Sequence, residues 1–322
     1  MLKRVIILLL FAALLSHCSN SFDTSSFYGD SSVDIGSNGS TSTGPVEINV
    51  KDPSNAAIAS GGNYTFGDEM IAPTGPSKTF TIENTDTGTL SITGTNVSGT
   101  NSADFVVTSA PASSVNGNSN TTFVLRFAPT GVGTRTATLT ISNSDTDEGT
   151  YTISLSGTGH KGRMFMISGN TNGNMGGISG ADSQCQTDGI VTGAGASAIT
   201  FKAMLATTDS TRDLSNDWVF QASTEYVDFQ NTGNTITTTD TASKPTFPFT
   251  NALSVTSNVW TGLQQDYTLG PENCSNWAGT GGAGRRGTGN ATDLTFINNT
   301  GGAETLTCGS AIKIVCVEQP GT

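Results

Sequence analysis

The stretch from Asn174 to Cys185, Asn-Met-Gly-Gly-Ile-Ser-Gly-Ala-Asp-Ser-Gln-Cys, constrains this chain more than any other: it is a glycine-punctuated turn that runs into a short helix. Ser179 is placed to cap that helix through its hydroxyl, and Asp182 three residues on to reach back to free N–H groups. Ala181 and Cys185 fall on one face, which is expected to look into a core. Cys185 is also the first of four late cysteines, followed by Cys274, Cys308 and Cys316. The expected product is a cross-linked scaffold. Four cysteines allow three pairings, and spacing alone does not choose among them.

Composition sets the class. At 322 residues the chain has room for two domains once its ends are set aside. Charged residues make up only 12%, and the 39 glycines come with abundant Ser, Thr and Asn, which suits short strands and tight turns better than long helices. A mostly β protein is expected. The net charge of -12 becomes two units more negative if a leader carrying Lys3 and Arg4 is removed. Such a chain repels nucleic acid and anionic lipid surfaces.

Residues 1 to 18 read as an export signal. Lys3-Arg4 precedes the apolar run Val5 to Leu15, which is short for a membrane span and right for a signal-peptide core. Leu15-Ser16-His17-Cys18 resembles the lipobox of bacterial lipoproteins, which implies that Cys18 is lipidated and becomes the mature N-terminus. His17 departs from the small residue usual at that place. With Cys18 acylated, the remaining four cysteines are an even set for disulfides in an oxidising compartment. The expected location is the outer membrane, lipid-anchored, with the protein at the cell surface. Residues 19 to 44 are Ser, Asn, Gly, Asp and Thr with few apolar side chains and read as a flexible tether, in which Phe22, Phe27 and Tyr28 are incidental.

From Pro45 to Gly159 short alternating runs take over: Thr79 to Ile82, Phe123 to Phe127, Ala137 to Ile141 and Tyr151 to Leu155, each with apolar groups on one face. That pattern predicts a β-sandwich at 45–159, held without a disulfide. Phe127-Ala128-Pro129 before Gly131 and Gly133, with the closing Leu155-Ser156-Gly157-Thr158-Gly159, resembles the hydin-type (choice-of-anchor D) immunoglobulin-like domains, which implies a spacer or interaction module. Asp145 to Gly149 lacks a full calcium ligand ladder and reads as an acidic hairpin turn. His160, in the joint that follows, has no second titrating or metal-ligating partner nearby in the sequence and is expected to be solvated.

The region 160–322 opens with a strand at Arg163 to Ser168 and then the glycine turn. Met175 to Cys185 resembles the corresponding turn and helix of the collagen-derived endostatin domain. Thr200 to Leu205, Val259-Trp260-Thr261-Gly262, Glu272 to Trp277, Cys308 and Ile314 to Glu318 follow in the same order. The resemblance implies an α+β C-type-lectin/endostatin-like domain with nested disulfides, Cys185 to Cys316 and Cys274 to Cys308. Trp218, Trp260 and Trp277 read as core tryptophans rather than sugar-stacking platforms.

Departures from that family decide the functional expectation. The Glu-Pro-Asn, Gln-Pro-Asp and Trp-Asn-Asp triplets of calcium-dependent sugar binders do not occur, and Pro271-Glu272-Asn273 has another order, so such binding is disfavoured. No histidine is available for an endostatin-type zinc site after His160, and Gly176 and Ser179 stand where heparin-binding arginines would be. No metal and no cofactor is expected. The one basic spot is Arg285-Arg286 between glycines, expected on an exposed loop at 279–290 with Trp277 as an apolar edge. No nucleophile elbow, phosphate loop or metal spacing is present, and no catalytic residue is assigned. Anchor, tether, spacer and clamped head together resemble the endostatin-like adhesins of spirochaetes. That implies a surface lipoprotein binding host extracellular-matrix or plasma proteins. The alternative is a structural or calcium-independent glycan-binding envelope lipoprotein facing the periplasm.

Overall fold

The structure, a computed structural model, describes residues 44–194, 198–302 and 304–321. Cys18, the leader, the aromatics Phe22, Phe27 and Tyr28 and nearly all of the tether lie outside these residues. The chain from Thr41 onward is one compact unit. Among the described residues no helix is long and apolar enough to cross a membrane.

The first part is all strand: β1 (Ile48–Lys51), β2 (Ala57–Ile58), β3 (Gly62–Met70), β4 (Ser77–Asn84), β5 (Leu90–Ser98), β6 (Phe105–Ser109), β7 (Ser114–Val115), β8 (Ser119–Phe127), β9 (Gly133–Asn143) and β10 (Thr150–His160). They form two sheets, in the orders β2-β1-β4-β8-β6 and β3-β10-β9-β5-β7. The alternating runs seen in the sequence lie inside β4, β8, β9 and β10. Period-two alternation sends Phe80, Ile82, Phe123, Leu125 and Phe127 of one sheet, and Leu139, Ile141, Ile153 and Leu155 of the other, into a single apolar cluster. Phe80 stacks on Phe123 and Phe105 on Phe127, with ring centroids 5.1 and 4.7 Å apart. Truncating one of these rings to alanine removes about 3–5 kcal/mol of packing.

The turn Asp145 to Gly149 joins β9 to β10, as its composition suggests. Asp145 is buried and does structural work there: Oδ2 accepts the Ile48 N–H at 2.9 Å and Oδ1 the Asp147 N–H at 3.3 Å. Glu47 and Asp147 have carboxylate oxygens within 4.8 Å of it.

The second part contains β11 (Gly162–Met166), α1 (Gly177–Thr187), α2 (Gly189–Gly193), β12 (Phe201–Ala203), β13 (Glu225–Asp228), β14 (Asn231–Thr238), β15 (Asn258–Trp260), β16 (Ala283–Thr288), β17 (Thr305–Thr307) and β18 (Val315–Glu318). The sheet order is β12-β18-β11-β13-β14, and β15-β16-β17 form a smaller sheet. Long irregular segments join these short elements. Cys185 of α1 is bonded to Cys316 of β18, and Cys274 to Cys308, the two pairs named above.

The two parts meet in a shared core rather than at a linker. Met70 at the end of β3, with Ala72, packs into the cluster of Met164, Tyr226 and Val317. β3 runs parallel to β10 as far as Met70 opposite His160. Gly162 then passes so close that a Cβ on it would lie 2.6 Å from the Tyr226 ring and 2.9 Å from the Met70 sulfur. Only glycine fits between them.

Candidate functional site

The opening motif starts its helix earlier than the Ser179 cap implies. Gly176 and Gly177 take left-handed backbone angles, φ 82° and 75°, and Gly176 is the N-cap without a side-chain bond. Glycine adopts that geometry without the Cβ clash other residues suffer, so the helix is capped three residues sooner, at Gly176, and Ser179 falls inside α1. Ala181 and Cys185 are buried on its inner face. Asp182 faces Arg212 instead of the helix end. Its oxygens take Arg212 Nη1 and Nη2, each at 2.7 Å, and Oδ1 also accepts the Ala203 N–H at 2.8 Å. Asp217 accepts Arg212 Nη2 at 2.6 Å and is bonded by Lys202. Burial alone would raise Asp217, but Lys202 and Arg212 hold it below the usual carboxylate range. Arg212, in a polar stretch with no motif around it, was not legible as a keystone.

The basic spot is not an exposed loop. Arg285 and Arg286 lie in β16, paired between β15 and β17. Arg285 Nε is 2.8 Å from Glu272 and Nη1 3.0 Å from Glu304. Arg286 is 8% exposed and donates to Asn258. Trp277 is wholly buried, Nε1 donating to the Ala206 carbonyl at 2.9 Å, and it packs near Trp260. Alternation along a strand and two acidic neighbours withdraw the charge that the sequence places on the surface. Trp218 is half-buried and donates to the Ser243 carbonyl.

Beside Trp277 the backbone is strained. Cys274, Ser275, Asn276 and Trp277 have φ of 53°, 56°, 55° and 65°. Four consecutive left-handed residues, none of them glycine, cost on the order of 1–2 kcal/mol each. The turn persists because both ends are anchored, Cys274 by its disulfide and Trp277 by burial. Asn276 Oδ1 accepts Thr208 N–H at 3.0 Å, Thr208 Oγ1 at 3.2 Å and Asn273 Nδ2 at 2.5 Å, and Asn273 Oδ1 accepts the Asn276 N–H at 3.0 Å. A rim results in which Ser275, Thr208 and Asp209 are exposed around a fixed amide. Strained backbone held by its surroundings gathers at functional sites.

His160 is not solvated. Its Nδ1 lies 2.8 Å from the Lys161 carbonyl and its Nε2 3.5 Å from Glu318 Oε1. Burial pushes the imidazole below its ordinary value. Burial likewise pushes Glu318 up to about 8 against the pull of Arg163, whose N–H donates to Oε2 at 3.0 Å and whose Nη1 is 3.8 Å from Oε1. The His160–Glu318 contact thus joins two groups both biased to their neutral forms. Glu69 from β3 is buried in the same joint, where Oε1 accepts the Gly321 N–H at 2.6 Å. Glu318 closes an apolar strand and Glu69 precedes Met70, so the only sequence signal was an acidic residue adjoining core positions.

The family described as a protein of unknown function, DUF1554, matches residues 168–294, which includes the glycine turn, α1 and the strained rim. No curated protein matches the chain. Among solved structures, a protein of unknown function from Porphyromonas gingivalis W83 is 12% identical over 39% of this chain and 51% of that one, with a TM-score of 0.28. The Vibrio cholerae VesB protease is 16% identical over 35% and 31%, with a TM-score of 0.24. PapD-like domain 7 of human CEP192 is 17% identical over 41% and 96%, again at 0.24. The chain spans about half the length of the first and about a third of the second, and likenesses this weak carry no argument about fold or activity.

Proposed function

We propose that this chain is an exported, lipid-anchored bacterial surface protein whose C-terminal part is a recognition head for host extracellular-matrix or plasma proteins. In this reading residues 45–159 are an immunoglobulin-like sandwich and residues 160–322 an endostatin-like variant of the C-type-lectin fold. The observation that carries it is the rim at Ser275, Asn276 and Thr208: a strained turn, anchored by a disulfide and a buried tryptophan, that holds polar groups at the surface in a fixed arrangement. A pre-organised surface loses little conformational freedom when a partner docks. The two disulfides support export, because such bridges persist in oxidising compartments.

Binding of the mature chain to immobilised laminin, fibronectin, plasminogen and complement factor H tests the proposal, with Ser275→Arg as the rim variant. The expected result is binding to at least one of them that Ser275→Arg abolishes without lowering Tm. Binding that Ser275→Arg leaves intact removes the rim from the proposal. Protease treatment of intact cells is expected to release the head, and full protection would place it in the periplasm instead.

A further inference from the structure

Arg285 and Arg286 are neighbours on β16 with different surroundings. Arg285 has two carboxylates, those of Glu272 and Glu304, at 2.8 and 3.0 Å. Arg286 is 8% exposed, and among the described residues it has no carboxylate partner. Its Nη1 donates to the side-chain oxygen of Asn258, a neutral acceptor, and its Nε is buried with no acceptor at all. Asn258 and Thr288 are opposite each other in β15 and β16, and Thr288 Oγ1 accepts the Asn299 amide at 3.0 Å, so these neighbours are polar but uncharged. A guanidinium does not become neutral by losing its proton, so burial without a counter-charge leaves a standing cost.

The part of the guanidinium left over has a definite shape. Nε and Nη2 lie on one edge with two parallel N–H bonds, and such an edge takes the two oxygens of a carboxylate side by side. Nη1, outside that edge, is the nitrogen that Asn258 holds. Beside Nη2 the chain is glycine: a Cβ on Gly302 would lie 3.6 Å from it and 3.6 Å from the Asn299 amide. Thr300, Gly301 and Gly302 are all exposed. The way to the unused edge therefore leads past a surface turn of small residues and not through the core.

We propose that the Nε–Nη2 edge of Arg286 is a binding site for a single carboxylate group, carried by a small free acid or by a polypeptide. Each carboxylate oxygen accepts one N–H, the negative charge offsets the buried positive one, and the turn at Thr300 to Gly302 shifts to admit the group. One guanidinium supplies one charge, which matches a carboxylate and leaves a sulfate dianion half compensated. The net charge of -12 repels polyanions. The site is separate from the rim at Ser275 and does not depend on what that rim binds.

Calorimetric titration of the full mature chain with acetate, N-acetylglycine and Nα-acetylaspartate amide, and with sulfate at matched ionic strength, tests it. Saturable binding of carboxylate is expected, with sulfate weaker by about tenfold or more. Acetate binding as tightly as the other two assigns the site to free acids. Tighter binding of N-acetylglycine assigns it to a chain terminus, and tighter binding of the aspartate amide to an acidic side chain. Arg286→Met should lower the affinity by about tenfold or more. Gly302→Asp supplies a carboxylate beside Nη2 from within the chain. It should abolish binding and raise Tm by about 2 °C or more, a gain that damage to the fold does not produce. No saturable binding of any carboxylate, sulfate binding as tightly as acetate, unchanged affinity in Arg286→Met, or a Gly302→Asp variant that neither gains Tm nor loses binding would overturn the proposal.

Discussion

Asp182 and Arg212 meet fork to fork, Nη1 to Oδ1 and Nη2 to Oδ2, both at 2.7 Å, with the arginine 1% exposed. The pair ties α1 to the irregular segment after β12. Asp217 and the Ala203 carbonyl take the remaining directions of the guanidinium, so every part of a buried cation is satisfied. Removing one partner of such a set leaves uncompensated charge, and Asp182→Ala is expected to destabilise the unit by about 3 kcal/mol. Arg212→Lys should also be costly, because an ammonium cannot make the paired contacts. Denaturant unfolding of the variants checks both, and a wild-type midpoint for Asp182→Ala would remove the pair from its place as keystone.

The two disulfides should differ in worth. Cys185–Cys316 spans 131 residues and Cys274–Cys308 spans 34, for which loop-closure entropy in the unfolded chain gives about 5 and about 4 kcal/mol. Replacing both cysteines of the long bridge by alanine should therefore lower stability more than replacing both of the short one. Thermal unfolding of the two double variants reads the order directly.

Ser275 sits at φ 56° and ψ 53° and is exposed. Ser275→Gly relieves a left-handed penalty of about 1–2 kcal/mol, partly offset by the greater freedom glycine has in the unfolded chain. A net gain of about 0.5–1 kcal/mol is expected. A lower Tm for this variant would mean that the serine contributes more than its backbone strain costs.

Stability should depend on pH through the joint. The folded protein keeps Glu318 protonated up to about 8, whereas the ordinary carboxyl value is 4.5. Between those values the folded state binds the extra proton. This contribution is whole below pH 4.5 and is lost as pH rises through about 8, at up to about 1.4 kcal/mol per pH unit. His160, depressed below 6.5, works in the opposite sense, and its contribution is lost as pH falls below 6.5 and through its folded value. Glu318→Gln is expected to flatten the loss between pH 5 and pH 8, seen as a variant that gains on the wild type as pH rises. A difference between the two that stays constant with pH would count against a buried, protonated Glu318.

Lipidation is tested on the native protein. Mass spectrometry of the mature N-terminus is expected to find a diacylated or triacylated Cys18. An unmodified terminus at any other residue would exclude the anchor.

What the sequence determined by itself is what short-range patterns encode. Alternation in Thr79–Ile82, Phe123–Phe127, Ala137–Ile141 and Tyr151–Leu155 marks strands and their inward faces, because side-chain direction in a strand repeats every two residues whatever the partner. The acidic turn at Asp145 was legible for the same reason, being a property of a few adjacent residues. Tertiary structure alone decided which charges are spent and which are left. Arg285 and Arg286 read as a surface patch until Glu272, Glu304 and Asn258 are brought to them. His160 reads as a solvated linker residue until Glu318, far along the chain, closes over it. The pairing of Asp182 with Arg212, the placement of Glu69 against Gly321 and the core shared by Met70 and Val317 join residues distant in sequence. The physical reason is that burial and electrostatics depend on what surrounds a group in space, and no local pattern carries that information.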